Sequence, residues 1–279
     1  HIIPLLSLRD LALSRTVCTF FEAYWQDKFS NNVLPLRVGN DVATIDDVMG
    51  VVEILSSRRE YTKINPLLVL LGKGEHQITS SCTDEDWDAV CLTTLDITCS
   101  NITFLGKGKD TTTILGGFGI YEQENITFKN MTVTNTSQYG CGISMHNAKV
   151  ELMDLALKGC NNIALFMPHS SSETTVVATR CEFANSNLGA YVCGSFSSAK
   201  FNNCVFHDNE DDGIFVSDTT IHLHGEATAI HSNRGCGIYA LDKTTKVILH
   251  LPSHHNTSYN NTIDDRHTED GGTITNVED

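Results

Sequence analysis

The stretch "DNEDDGIFVSDTTIHLHGEATAIHSNRGCGIYA", residues 208–240, decides the fold because it contains one short pattern twice. Glycine, isoleucine and an aromatic residue occur together from Gly213 and again, 24 residues later, from Gly237. Between these triplets, apolar residues alternate with polar ones, as in a strand with one buried face. A repeat of this length indicates stacked structural units.

The same period extends over most of the chain. Similar triplets begin at residues 119, 142, 163, 189, 213 and 237, in steps of 23, 21, 26, 24 and 24. A second series of apolar segments runs offset from the first, and Gly, Asn and Asp separate the two as tight turns require. Three short strands per unit of about 24 residues predict an all-β fold, a single-stranded right-handed parallel β-helix of about seven coils.

Cysteine and asparagine recur with the same period. Cys141 and Cys236 each precede the glycine of a triplet, and Asn185, Asn209 and Asn233 each lie four residues before one. We expect equivalent positions to stack, with Asn side chains bonding turn backbone groups and Cys filling small interior spaces. The ten cysteines include no CxxC pair, and the pattern favours reduced, buried thiols.

The segment "TIDDVMGVVEILSS", residues 44–57, predicts a helix with Thr44 as N-cap. One apolar stripe runs along it, formed by Ile45, Val48, Val52 and Leu55. A solenoid needs its open end covered, so this helix is interpreted as the N-terminal cap.

Four segments follow from these signals. They are an N-terminal helical segment at 1–39, the cap helix and first strand at 40–75, the β-helix at 76–250, and a C-terminal cap or tail at 251–279, where the period weakens.

The charge is strongly and unevenly negative. Residues 1–80 carry 8 Lys/Arg against 9 Asp/Glu, and residues 81–279 carry 11 against 25, which accounts for most of the net charge of −15. Nucleic acid and anionic membranes require clustered positive charge, so the composition predicts neither as a partner. A basic protein partner fits better.

The segments "LLVLLGKGEHQI" and "LDITCSNITFLGKGKDTTTILGG", which follow the cap helix, resemble the opening of the pectin-lyase-like superfamily. The resemblance extends over residues 40–250. Within the superfamily, the chain resembles most specifically the β-helix repeats of carbohydrate-binding proteins and sugar hydrolases. It implies the architecture. It does not imply one activity, because the fold carries lyases, hydrolases, epimerases and non-catalytic scaffolds.

The segment "PLLSLRDLALSRTVCTFFEAYWQDKF", residues 4–29, resembles the latter two-thirds of an F-box. An F-box followed by a β-helix is the layout of one class of ubiquitin-ligase substrate receptors, which implies a cytoplasmic or nuclear location. The resemblance implies contacts to a Skp-type linker through Leu5, Leu8, Leu11 and Val17. The alternative is a small helical hairpin that packs on the β-helix.

A catalytic interpretation centres on Asp211 and Asp212, with His207 and Arg234 nearby. The pair resembles the adjacent aspartates of polygalacturonase-type hydrolases, which activate water and protonate the leaving oxygen. The Asn-Thr-Asp, Gly-His-Gly and Arg-Ile-Lys motifs of those enzymes are absent from the sequence. A solvated turn is therefore the favoured interpretation of the pair.

Lyases of this fold imply a second catalytic interpretation, with an Arg or Lys base and calcium held by carboxylates. Arg180, Arg234, Lys158 and Asp154 are the candidates for this arrangement on successive coils. The calcium would lie at the acidic corner formed by Asp208, Glu210, Asp211 and Asp212.

Histidines offer a weaker signal for a metal. His222 and His224 share one side of a strand, a spacing that metal sites use, and His254 and His255 form a second pair. A stacked or surface position is favoured for them, so no cofactor and no metal are predicted.

A sugar-binding groove would need exposed aromatic rings. Trp25 and Trp87 lie before the regular repeats, and we expect the repeat aromatics to point inward. The leading hypothesis is therefore a non-catalytic protein-recognition β-helix. The alternatives are a carbohydrate-active lyase or hydrolase, and a secreted carbohydrate-binding solenoid glycosylated at Asn-x-Ser/Thr sites, which occur at Asn101, Asn125, Asn130, Asn135, Asn256 and Asn260.

Overall fold

The protein winds into a parallel β-solenoid, which confirms the predicted all-β coil architecture. The computed structural model describes residues 35–79, 81–82, 92–251 and 258–278. In these residues the chain is mostly strand and contains one helix, Asp47–Arg58. No helix of the described part is long and apolar enough to cross a membrane.

The strands form three faces of a prism, because each coil contributes one strand to each face. Two long strands, Ile126–Thr134 and Lys149–Lys158, bend from the first face onto the second. Their partners on the first face are Leu36–Arg37, Leu67–Leu70, Ile102–Leu105, Thr174–Thr179, Ser197–Asn202, Thr220–His224, Lys246–Leu251 and Thr273–Glu278.

The second face has shorter strands, all paired in parallel. They are Gly74–Gln77, Thr112–Leu115, the distal halves of the two long strands, Glu182–Ala184, Val205–His207, Ala229–His231 and Ser258–Tyr259.

The third face is a separate sheet, parallel except for the antiparallel pair at its beginning. Its strands are Ser81–Cys82, Leu92–Ile97, Gly117–Tyr121, Ile143–His146, Ile163–Met167, Leu188–Cys193, Ile214–Ser217, Ile238–Leu241 and Arg266–Glu269.

Inter-coil register gives the period directly. On the first face one inward position advances by 24, 24, 26, 23, 22, 26 and 27 residues through Ile102, Ile126, Val150, Val176, Ala199, Ile221, Val247 and Ile274. These seven steps match the predicted number of coils, and their spread explains why the sequence repeat is imperfect.

Phenylalanines fill the interior in two groups. Phe104, Phe118 and Phe128 are fully buried, with the Phe104 and Phe128 rings stacked at a centroid separation of 5.2 Å. A second group, formed by Phe183, Phe201 and Phe206, is equally buried further along the solenoid. Each fully buried Phe contributes about 1.5 to 3 kcal/mol of transfer free energy.

The predicted apolar stripe of the helix is buried in the same core as the first strands. The predicted N-cap was wrong, because the helix begins at Asp47 and Thr44 donates from its N–H and Oγ1 to Oδ2 of Asp47 (3.1 and 2.9 Å). Asp46, the residue before the helix, accepts instead from N and Oγ1 of Thr79 at 2.8 and 2.5 Å. This contact ties the helix to the first coil.

Residues 258–278 lie in the segment predicted as a C-terminal cap or tail, and they pair strand by strand with the coil before them. The side chains of this last coil are more exposed than those of earlier coils, which is why the apolar period weakens there in the sequence. Of the predicted N-terminal segment 1–39, residues 1–34 lie outside the described residues.

A column of glycines lies where the chain enters the third face. A Cβ on Gly213 would lie 2.7 Å from the carbonyl oxygen of Gly237, and a Cβ on Gly189 would meet the oxygen of Gly213. Any side chain here would collide with the backbone of the next coil, so the close approach of coils requires glycine.

An asparagine column joins neighbouring coils, although not with all the predicted members. Nδ2 of Asn209 donates to Oδ1 of Asn233 at 2.9 Å, and Nδ2 of Asn233 donates to Oδ1 of Asn261 at 2.8 Å. Asn185 is exposed, and Ser186 occupies the column instead, donating its N–H to Oδ1 of Asn209. The turn that follows is one residue shorter in this coil, which displaces Asn185 from the column.

Replacing Asn209 with alanine should destabilise the protein by about 2 to 4 kcal/mol, because the amide is fully buried and bonded on both sides. The backbone N–H of Ser186 would lose its side-chain acceptor, and the carbonyl of Phe183 would lose one donor. Urea unfolding measures the change. Asn187→Ala, at the exposed position next to Ser186, should change the free energy of unfolding by less than about 0.5 kcal/mol; equal effects of the two variants would contradict a stabilising column.

Candidate functional site

An aromatic column runs down the outward side of the third face. Phe166, Tyr191, Phe215 and Tyr239 lie in register on four successive strands, and His267 continues the line. Strand alternation turns their neighbours inward, so Leu165, Ala190, Ile214 and Ile238 are buried. The four aromatic side chains are partly exposed.

The rings of the aromatic column contact one another. Ring centroids lie 5.4 Å apart between Phe166 and Tyr191, 5.1 Å between Tyr191 and Phe215, and 5.2 Å between Phe215 and Tyr239. Tyr191 and Phe215 are nearly parallel at 7°, whereas Phe215 and Tyr239 meet edge to face at 71°. Aromatic pairs in this range contribute about 0.5 to 1.5 kcal/mol beyond their buried area.

The expectation that repeat aromatics point inward was wrong for this column. The residue buried in each triplet is the middle one, so the aromatic residue that follows it points outward. The triplets themselves carried this signal, because strand side chains alternate strictly between the two sides of a sheet. The inward aromatics come from the other two faces and from Phe118.

Acidic side chains border the aromatic column. The Tyr239 hydroxyl donates to Oε2 of Glu269, and this bond raises the pKa of Tyr239 to about 12. Ser217 Oγ donates to Oδ2 of Asp242 at 2.6 Å, and Thr244 Oγ1 donates to Oδ1 of Asp218 at 2.8 Å. The column is therefore an apolar strip with carboxylates along one side.

The four predicted catalytic residues are not joined into one site. No hydrogen bond or ion pair of the described residues connects any two of Asp211, Asp212, His207 and Arg234. Arg234 and Asp211 are exposed turn residues whose backbone groups bond to neighbouring coils.

Asp212 is the buried member of the acidic pair. Its side chain is 5% exposed, and Oδ1 accepts the backbone N–H of Cys236 at 2.6 Å. Burial raises the pKa of Asp212 to about 6, and the charge of Asp211 adds to this effect. A Cβ on Gly235 would lie 2.5 Å from the same carboxylate oxygen, so the next coil closes over it. Asp212 acts as an acceptor between coils.

His207 belongs to a different edge, the end of a second-face strand. Its Nδ1 lies 2.6 Å from Oδ2 of Asp208, and its Nε2 lies 3.3 Å from Oε1 of Glu182. The ring stacks on His231 at 5.2 Å, and His231 stacks on Tyr259 at 5.0 Å. His207 therefore forms part of another stacked column.

The candidate lyase base is already paired. Arg180 donates from Nε and Nη2 to the two carboxylate oxygens of Asp154, at 2.7 and 2.6 Å. The pair lies on neighbouring coils at the surface, and the guanidinium lowers the pKa of Asp154. This two-pronged ion pair fixes the orientation of the Arg180 guanidinium toward Asp154.

The predicted linker-contact residues, Leu5, Leu8, Leu11 and Val17, lie outside the described residues, as do Trp25, Trp87, His254 and His255.

Comparison with known families gives a match to the right handed beta helix region over residues 114–263. This range contains the aromatic column and does not include the F-box-like segment. The comparison with curated proteins gives no match.

Several solved structures are similar in shape. An open-reading-frame product of Geobacillus virus E2 has 11% identity and a TM-score of 0.48 over 94% of this chain, which spans 65% of that protein. Pectin methylesterase PemA from Erwinia chrysanthemi has 10% identity and a TM-score of 0.47, over 87% of this chain and 80% of that one. The A-module of Azotobacter vinelandii mannuronan C-5 epimerase AlgE4 has 15% identity and a TM-score of 0.35, over 75% and 79%. Similarity at this level gives no information on activity.

The raised pKa of Asp212 predicts a specific pH dependence. A carboxyl group with a pKa near 6 in the folded state, against about 3.9 in the unfolded state, binds more protons when folded, so its contribution to stability is lost as the pH rises from about 4 to 6. In Asp212→Asn this loss, up to about 3 kcal/mol, should be absent.

Urea unfolding of both proteins between pH 4 and 7 measures this difference. Glu210→Gln removes an exposed carboxylate of the same corner and should preserve the pH dependence that Asp212 causes. If the same pH dependence persisted in Asp212→Asn, the pKa of Asp212 would not be raised in the folded state.

Proposed function

The chain belongs to the right-handed β-helix family, and we propose that it is a non-catalytic recognition protein that binds a partner protein through the aromatic column. The supporting observation is the column itself, in which Phe166, Tyr191, Phe215 and Tyr239 form a continuous, partly exposed apolar strip. Aromatic side chains on a rigid sheet supply contact area at little cost in conformational entropy, as binding surfaces commonly do.

The orientation of the rings favours a protein over a sugar. A sugar platform needs an uncovered ring face, and the middle rings have neighbours on both sides. Tyr191 lies between Phe166 and Phe215, and Phe215 lies between Tyr191 and Tyr239, with all centroid separations at or below 5.4 Å. These neighbours leave the two middle rings little free face for a sugar, whereas apolar side chains of a protein segment can contact the exposed parts of the strip.

The charge around the aromatic column favours a basic partner. Glu269, Asp242 and Asp218 border the strip, and the whole chain carries a net charge of −15. Arginine can contact both features at once, since its methylene chain packs on apolar surface while its guanidinium pairs with carboxylates. We propose a segment that combines arginine with apolar residues.

Three of the five acceptor sites in the described residues argue against the secreted, glycosylated alternative. Nδ2 of Asn125 donates to Oδ1 of Asn101, and Nδ2 of Asn101 donates to the carbonyl of Tyr61, both at 2.9 Å. Asn135 is fully buried. Glycan attachment at any of these amides would break contacts between coils.

A carbohydrate-active enzyme remains the second candidate, favoured by one observation. Asp212, whose pKa burial raises to about 6, lies beside the exposed Asp211, and glycoside hydrolysis uses one carboxyl group with a raised pKa as a general acid next to a second carboxyl group. Against it stands the burial of Asp212 under the following coil.

The finer proposal is a substrate receptor of a ubiquitin ligase, in which the F-box-like segment binds a Skp-type linker. It is supported by the resemblance of residues 4–29 to an F-box. The aromatic column would then bind the target protein, while residues 4–29 would bind the linker.

Removing two rings of the aromatic column should weaken peptide binding. We expect peptides selected from a random display library on the natural protein to combine arginine with apolar residues. The double variant Tyr191→Ser/Phe215→Ser should bind these peptides at least about tenfold more weakly, because central aromatic contacts dominate the binding energy of interfaces. Fluorescence polarisation measures the affinity.

The matched control is Phe196→Ser, which removes an aromatic residue 55% exposed outside the column and should leave affinity unchanged. Binders that ignore the column variants would contradict the proposal. Release of reducing or unsaturated ends from polygalacturonate, lost in Asp212→Asn, would favour the enzyme instead.

The attachment proposal predicts that the full-length protein co-purifies with a co-expressed Skp-type linker, and that Leu8→Asp prevents this by placing a charge in an apolar contact. Ser7→Asp adds the same charge at the adjacent polar position and should retain the linker. A natural protein that fails to associate would exclude the F-box function while leaving the aromatic column proposal untouched.

A further inference from the structure

Three histidines from two neighbouring coils converge on the outward side of the first face. His222 and His224 lie two residues apart on the strand Thr220–His224, so both side chains point to the same side. His250 lies on the adjacent strand, Lys246–Leu251. One ring nitrogen from each histidine lies within 4.8 Å of the others. We call these three residues the histidine cluster.

The contacts within the histidine cluster are close. Nδ1 of His222 lies 2.9 Å from Nε2 of His250, and the rings of His224 and His250 stack at a centroid separation of 3.8 Å. Three protonated imidazoles at such distances would repel one another strongly. Neutral imidazoles, each with a free ring lone pair, are the form in which histidine binds a metal.

We propose that the histidine cluster is a binding site for a divalent transition-metal ion of the zinc type. Neutral imidazole is a preferred ligand for Zn²⁺, Ni²⁺ and Cu²⁺. With Zn–N bonds of about 2.0 to 2.1 Å, tetrahedral geometry places ligand nitrogens roughly 3.3 Å apart, close to the separation between His222 and His250. Three histidines leave a fourth position for water.

The backbone holds these ligands rigidly and leaves the rings some freedom. Ile221 pairs with Val247 and Leu223 with Leu249 across the two strands, which fixes the Cα positions on both sides of the cluster. The His224 and His250 rings, inclined by 14°, must rotate about χ2 for their lone pairs to converge, and this torsion is soft for histidine. A bound ion would link two coils side by side.

One neighbouring charge opposes cation binding. Lys200 is the register partner of His222 on the preceding coil, and its positive charge contributes to the lowered pKa of His222. Because like charges repel, Lys200→Gln should tighten metal binding, an effect that a stacked column without a metal would not show.

The experiment adds ZnCl2 or CoCl2 to the full-length protein after chelator treatment. We expect one ion per chain by titration calorimetry and a Co²⁺ absorption spectrum of tetrahedral type. His222→Ala, His224→Ala and His250→Ala should each weaken binding by about tenfold or more. The control is His231→Ala, which removes a histidine that stacks on His207 and Tyr259 on the second face and should leave binding unchanged.

A second measurement uses the natural protein, in case the variants fail to fold. Zn²⁺ should protect His222, His224 and His250 from modification by diethyl pyrocarbonate, and should leave His207 and His231 reactive, as mapped by mass spectrometry. The proposal is overturned if the natural protein binds neither ion, or if the cluster variants bind as tightly as the His231→Ala control.

Discussion

Parallel hydrogen bonding between coils is the constraint on which the rest of this molecule depends. Each residue of a coil lies beside its counterpart in the next, roughly 4.8 Å away. Side chains at equivalent positions of successive coils therefore stack in columns along the solenoid. The buried phenylalanines, the asparagines and the outward aromatic rings all result from this one rule.

The same rule governs charge at the surface. Like charges at this spacing would repel, so opposite charges alternate from coil to coil. Lys149 lies between Glu124 and Glu173, at 3.1 and 2.9 Å, and Arg180 pairs with Asp154. Beside the aromatic column, carboxylates bond to hydroxyl groups instead, as Asp242 does with Ser217. Negative charge is consequently left available at the surface proposed for partner binding.

The sequence predicted those features that the period alone determines. Alternation and spacing were enough for the coils, the buried Ile and Val positions and the apolar stripe of the helix. Features that depend on turn length were not predictable in this way. Ser186 replaces Asn185 in its column because one turn is a residue shorter, and His250 meets His222 and His224 only through the register of the later coils. The aromatic column could have been predicted from the sequence by assigning the inward and outward side chains of each third-face strand.

The stacked glycines have a consequence for how such a chain changes length over evolutionary time. Because Gly189, Gly213 and Gly237 occupy equivalent places under the same carbonyl contacts, the segment between two of them is a self-contained module. Duplicating or deleting that module would join matching ends and lengthen or shorten every column by one member. An insertion of any other size would have to be accommodated as a loop at a corner, so the molecule is expected to diversify by whole turns and by its corners, while its cross-section is retained.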